Sequence, residues 1–173
     1  KEDSFNLIRE ISNNIFTHNG SLLMMETYIL INKKDTNFDM FVYKYQQFLL
    51  YNLEDNDIIR NKNIEVLFLT PVFKKQYITI VSEIKIKLKF LYKNIKEYFF
   101  KDKMFSKSSL FELFSIRFII DKNFNLLIFD ISRKINIIDK DIIPIYSRLI
   151  VETYNLVRGD VGLEETRFFK ISE

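Results

Sequence analysis

Lys85, Lys89, Lys93 and Lys96 recur at steps of four, four and three, the spacing that lays side chains along one face of an α-helix. The chemistry such a row can do is electrostatic. Residues 74–107 hold ten Lys against Glu83, Glu97 and Asp102, a local excess of +7 in a chain whose net charge is +3. The remainder is therefore near −4. The stripe reads either as a solvated face that keeps an apolar domain soluble or as a docking surface for an acidic partner. Nucleic acid is the weaker partner, because the segment contains no Arg and its aromatics (Phe90, Tyr92, Tyr98, Phe99, Phe100) read mostly as core packing.

Other chemistry-bearing residues are few. The chain has no Cys, which excludes disulfides, thiolate metal sites and a Cys nucleophile. Its one His, His18, sits in T-H-N-G and reads as a turn residue rather than a ligand or base. Gly20, Gly159 and Gly162 cannot assemble a glycine-rich phosphate loop. The acidic run Glu54, Asp55, Asn56, Asp57 lacks the alternating ligands, central Gly and terminal Glu of a Ca²⁺ loop. No run approaches the ~18 uninterrupted apolar residues of a membrane span, and no charged-then-apolar leader opens the chain.

The elements that must position these groups follow from periodicity. Residues 4–16 carry Phe5, Ile8, Ile11 and Ile15 at helical spacing behind Ser4 as N-cap, and 17–20 predict a turn. Residues 22–32 and 39–51 predict an antiparallel hairpin across K-K-D-T-N-F, with Met24 and Met25 divided between core and strand surface. A polar loop (52–63) and a short apolar run stopped by Pro71 follow. The stretch 84–90 alternates like a strand, but Tyr77, Ile80, Ile84, Leu88, Leu91, Ile95 and Tyr98 predict a helix over 76–100. A second hairpin is predicted over 108–120 and 125–132, turning at D-K-N-F. A closing helix over 140–158 has Asp141 as cap, Pro144 in its first turn and Gly159 as its stop. The tail to Glu173 reads as loosely packed. The fold class is α+β, an antiparallel sheet of two hairpins packed with two main helices.

Two stretches carry a resemblance. LLMMETYILI (22–31) followed by FVYKYQQF (41–48), and FELFSIRFIID (111–121) continuing into LIFDIS (127–132), resemble the C-terminal half of the tubulin–tyrosine ligase family, whose fold is ATP-grasp-like. The likeness covers roughly residues 14–158 and is strongest over 22–51 and 108–158. It implies that residues 1–173 form one domain, or the C-terminal part of an ATP-grasp-like domain.

The departures bear on function. Where the resemblance implies an Asp that holds Mg²⁺, the chain has Arg117. The metal-binding Glu and Asn fall at Asp130 and Ser132, and a phosphate-contacting Arg falls at Glu26. Mg²⁺ requires oxygen ligands, so a guanidinium cannot replace the missing one. Arg117 and Asp130 lie on strands joined by a short turn. We expect them either to form a charge-assisted pair in the metal's place or to leave Arg117 pointing to solvent. The resulting expectation is a non-catalytic, degenerate tubulin–tyrosine ligase-like protein without a cofactor, cytoplasmic and off the membrane. It would act as a binding or structural component that meets an acidic protein surface through Lys85, Lys89, Lys93 and Lys96, tubulin being the candidate the resemblance implies. Two alternatives remain: an active ATP- and Mg²⁺-dependent amino-acid ligase with diverged metal ligands that modifies tubulin, and an unrelated basic adaptor.

Overall fold

A computed structural model describes residues 15–18, 20–34, 37–52, 57–60, 74–101, 110–133 and 140–171. The strands are β1 (Thr17–His18), β2 (Ser21–Lys34), β3 (Asn37–Asn52), β4 (Asp57–Arg60), β5 (Leu110–Ile120), β6 (Leu126–Ser132) and β7 (Phe168–Ile171). The helices are α1 (Lys74–Lys101) and α2 (Ile143–Arg158). The fold is α+β. Five strands follow the antiparallel order β4-β3-β2-β5-β6, with β1 added to β2 and β7 to β3. Both predicted hairpins and both predicted helices over the described residues are present. Among the described residues no helix is long and apolar enough to cross a membrane. These residues divide into two compact units, one drawn from Lys1–Glu26, Gln47–Glu83 and Arg117–Asp130, the other from Thr27–Gln46, Ile84–Ile116 and Ile131–Glu173.

In the first unit, β1 folds back on β2 with Thr17 opposite Leu22 and His18 opposite Ser21. The reversal passes through Gly20, whose φ of 80° suits a residue without Cβ. The predicted turn at 17–20 is thus narrower, with Thr17 and His18 already extended. Most of the predicted helix over 4–16 lies outside the described residues. Its last two, Ile15 and Phe16, are not helical: Ile15 bridges Asp121, and the Phe16 N–H donates to the Ile120 carbonyl at 2.9 Å. β4 pairs with residues 49–52 of β3, so the predicted polar loop contains a strand, while Glu54, Asp55, Asn56 and the apolar run before Pro71 lie outside the described residues.

The turn between β5 and β6 is organised by Asp121. Its Oδ1 accepts the backbone N–H groups of Asn123 and Asn125, both at 2.8 Å, and its Oδ2 accepts the Asn125 amide at 2.8 Å. These bonds hold Phe124 in the left-handed region at φ 64°, an uncommon conformation for a residue other than Gly. Met24 and Met25 are both fully buried, correcting the expectation that one would face solvent. Successive residues point to opposite faces of a strand, so β2 is covered on both faces here.

In the second unit, strand parity assigns the helices to opposite faces. Tyr28, Leu30, Phe41, Tyr43 and Phe168 pack with Ile142, Tyr146 and Leu149 at the start and middle of α2. Phe38, of opposite parity on β3, instead packs at 5.6 Å against the tilted ring of Tyr92 of α1, and the Tyr92 hydroxyl donates to the Phe38 carbonyl at 3.1 Å. The Tyr28 hydroxyl donates to that of Tyr146 at 2.8 Å inside the α2 layer. Asp141 does not cap α2: the chain enters through a 3₁₀ turn, and the N-cap residue is Ile142, which makes no side-chain capping bond. Gly159 ends the helix at φ 78° as expected.

The tail is not loose. β7 pairs with residues 40–43 of β3, and Phe168 and Ile171 are buried. Glu152 fixes its approach, with Oε1 accepting from Arg148 Nε at 2.9 Å and Oε2 from the Arg167 backbone N–H at 2.7 Å. Burial holds the neighbouring Tyr43 phenol above its ordinary value of 10.0; the Glu152 carboxylate adds to the rise, and the Arg167 and Arg148 guanidiniums oppose it. A pKa raised in the folded state makes this contribution to stability complete below about pH 10, and the contribution is lost as pH climbs through the folded value. Tyr43→Phe should therefore flatten the alkaline limb of a stability–pH curve. A limb as steep as that of the parent protein would remove Tyr43 from the cause.

Candidate functional site

Arg117 is inward-facing on β5 and only 6% exposed. A guanidinium so enclosed needs a carboxylate, because an unpaired buried charge costs several kcal/mol. Its Nε donates to Glu26 Oε1 on β2 at 3.0 Å, and Glu26 is itself fully buried. The other Glu26 oxygen, Oε2, accepts from Gln47 Nε2 on β3. Arg117 Nη1 lies 3.7 Å from Asp130 Oδ2 on β6, and that carboxylate is 43% exposed. The four side chains come from four neighbouring strands, in the order Gln47, Glu26, Arg117, Asp130. They form a row that is dry at the Gln47 end and wet at the Asp130 end.

The geometry decides between the two expectations for Arg117. It does not point to solvent. Its pairing with Asp130 is present but secondary: the contact is longer than a hydrogen bond and partly solvated, whereas the Glu26 contact is short and dry. Ser132, the last position implied for metal binding, lies half-buried at the end of β6. Arg117 Nη2 is buried without a hydrogen-bond partner among the described residues. The row contains two carboxylates, one amide and one guanidinium, with no hydroxyl, thiol, amine or imidazole. Among the described residues no group of three His, Cys, Asp or Glu side chains could hold a metal ion.

Gln47 is the member that sequence reasoning missed. Phe41, Tyr43 and Gln47 share one parity on β3, and a polar residue continuing an apolar, inward-facing series is the signal that marks it.

The lysine stripe lies on α1 as predicted. Lys85, Lys89 and Lys93 are exposed and Lys96 is half-buried. The Lys85 ammonium sits 5.6 Å from the centroid of the Phe169 ring, and Lys96 sits 5.4 Å from that of Tyr92, close enough for a cation–π attraction. Tyr92 is buried as expected, but Phe90 is not a core residue, being 73% exposed. The side chains of Tyr98, Phe99 and Phe100 lie outside the described residues.

Comparison with protein-family models and with curated proteins finds no match.

Proposed function

We propose that the chain is a non-catalytic relative of the tubulin–tyrosine ligases, acting in the cytoplasm as a binding or structural component. The observation that carries this reading is the 3.0 Å pair between Arg117 and Glu26. The resemblance implies an Arg at position 26 that contacts phosphate and an Asp at position 117 that holds Mg²⁺. Both charges are reversed, and the reversed groups neutralise each other directly. A hard cation needs oxygens free to ligate it. Glu26 is already engaged by Arg117 and Gln47, and Arg117 offers no lone pair, so the residues present do not fit Mg²⁺ or the phosphates it would bridge. Phosphoryl chemistry depends on that positioning, which these residues are not arranged to supply.

In this reading the work falls to the basic face of α1, which engages an acidic protein surface through Lys85, Lys89, Lys93 and Lys96, with tubulin tails as the candidate. Adding ATP and Mg²⁺ to the purified protein should leave its thermal unfolding midpoint unchanged. A ligand that binds only the native state raises that midpoint by mass action. A saturable, Mg²⁺-dependent rise would overturn the proposal in favour of an active ligase with diverged metal ligands.

A further inference from the structure

The outer face of α1 in the second unit carries more than charge. Ile84, Leu88 and Tyr92 are buried at steps of four and turn one side of the helix inward. Lys85, Lys89 and Lys93 each lie one residue further on, about 100° around the axis, and all three are exposed. Residues 84–96 contain five Lys and no acidic residue. Neither Lys89 nor Lys93 has an ion-pair partner among the described residues. Beside this basic row runs an apolar one. Ile86 is 59% exposed and Phe90 73%, four residues apart and one residue beyond Lys85 and Lys89. A face kept only for solubility is served by the lysines and has no use for a bare aromatic ring. Phe90 is the most exposed of the large apolar side chains among the described residues.

Two parallel rows in the same four-residue step, one basic and one apolar, are the complement of one kind of ligand. We propose that this face docks an acidic amphipathic helix of another protein, whose carboxylates meet Lys85, Lys89 and Lys93 and whose apolar row covers Ile86 and Phe90. The inference rests on the basic-face reading above and adds the form of the partner and its apolar anchor. Lysines four residues apart on a helix are separated by about 6 Å along its axis, a spacing that carboxylates at i and i+4 of a facing helix match. A second copy does not fit, because the same face would set lysine against lysine. A membrane surface is disfavoured because the main apolar side of α1 is buried, leaving Ile86 and Phe90 as the large exposed apolar side chains of its second-unit part.

The test is fluorescence anisotropy with three labelled probes at low ionic strength: a helical peptide with Glu at i and i+4 beside a row of Leu, a scrambled peptide of the same composition, and oligoglutamate. The patterned peptide should bind at least about tenfold more tightly than either control. Phe90→Ser, with Ile86→Ser as a second variant, should remove that advantage and leave oligoglutamate binding unchanged. The double variant Lys89→Glu/Lys93→Glu should abolish binding of all three. Equal affinity for patterned and scrambled peptides, or a Phe90→Ser variant that binds like the parent, overturns the apolar anchor even if oligoglutamate still depends on the lysines. Oligoglutamate binding that survives the double reversal rejects the basic face itself. Tighter binding to phosphatidylserine vesicles than to the patterned peptide reassigns the face to a lipid surface and overturns the proposal.

Discussion

Replacing Arg117 with Met should lower the unfolding free energy by about 3–5 kcal/mol, the cost of leaving a buried carboxylate without its cation. Glu26 is fully buried, and the amide of Gln47, which also bonds it, is neutral. An amide offers a hydrogen bond but no charge, so it does not replace the guanidinium that Glu26 would lose. The companion experiment is the double variant Glu26→Leu/Arg117→Met. Removing both charges together should restore most of the loss, since an apolar pair of similar volume often matches or exceeds a buried ion pair. Chemical denaturation of the two single variants and the double closes the cycle, and the coupling energy should be large and favourable. Asp130→Asn should cost at most about 1 kcal/mol, because that contact is longer and its carboxylate partly solvated. If Asp130→Asn proved as damaging as Arg117→Met, the order of the row would be wrong and Asp130 would be the principal partner.

That ordering also marks where sequence reasoning stopped. The β5–β6 hairpin was legible because two apolar runs flank D-K-N-F, and Asp121 makes the side-chain to backbone bonds that such a turn requires. Hairpin neighbours are local, so Arg117 and Asp130 could be brought together on paper. Glu26 lies 91 residues from Arg117, and which strand flanks β5 on its other side depends on sheet order that no local pattern encodes. Helix α1 was legible despite the alternating I-K-I-K-L-K-F, because the longer window repeats at three and four and the buried positions Ile80, Ile84, Leu88 and Tyr92 keep that step. Met24 and Met25 differ from the alternation expected because alternation presumes one wet face, whereas this part of β2 is buried on both. β4 and β7 escaped because each has four residues, too few for a period to show. In the basic segment charge is readable, but nothing in the sequence singles out Phe90 as the exposed aromatic, since residue type alone does not say which side of a helix meets the sheet.

The missed strand β7 yields the second large effect. Phe168 is 1% exposed, belongs to the core under α2, and meets the Tyr43 ring edge-on at 5.0 Å. Truncating a buried Phe to Ala costs about 3–5 kcal/mol through lost transfer energy and the cavity left behind. A strand of four residues has little else to hold it. Ile171 is the only other buried side chain of β7, and the Lys170–Asp39 ion pair at 2.5 Å is solvated enough to contribute little. Phe168→Ala should therefore act locally before it acts globally, releasing β7 from β3. Amide hydrogen exchange can read this directly: protection should fall within residues 40–43, which pair with β7, and persist at 49–52, which pair with β4. The Glu152 bond to the Arg167 backbone lies just before the strand and should survive the substitution, so Glu152→Ala combined with Phe168→Ala should release the segment further. Uniform loss of protection along all of β3 would instead mean that β7 is an integral part of the cooperative core, and that the tail folds and unfolds with the sheet it joins.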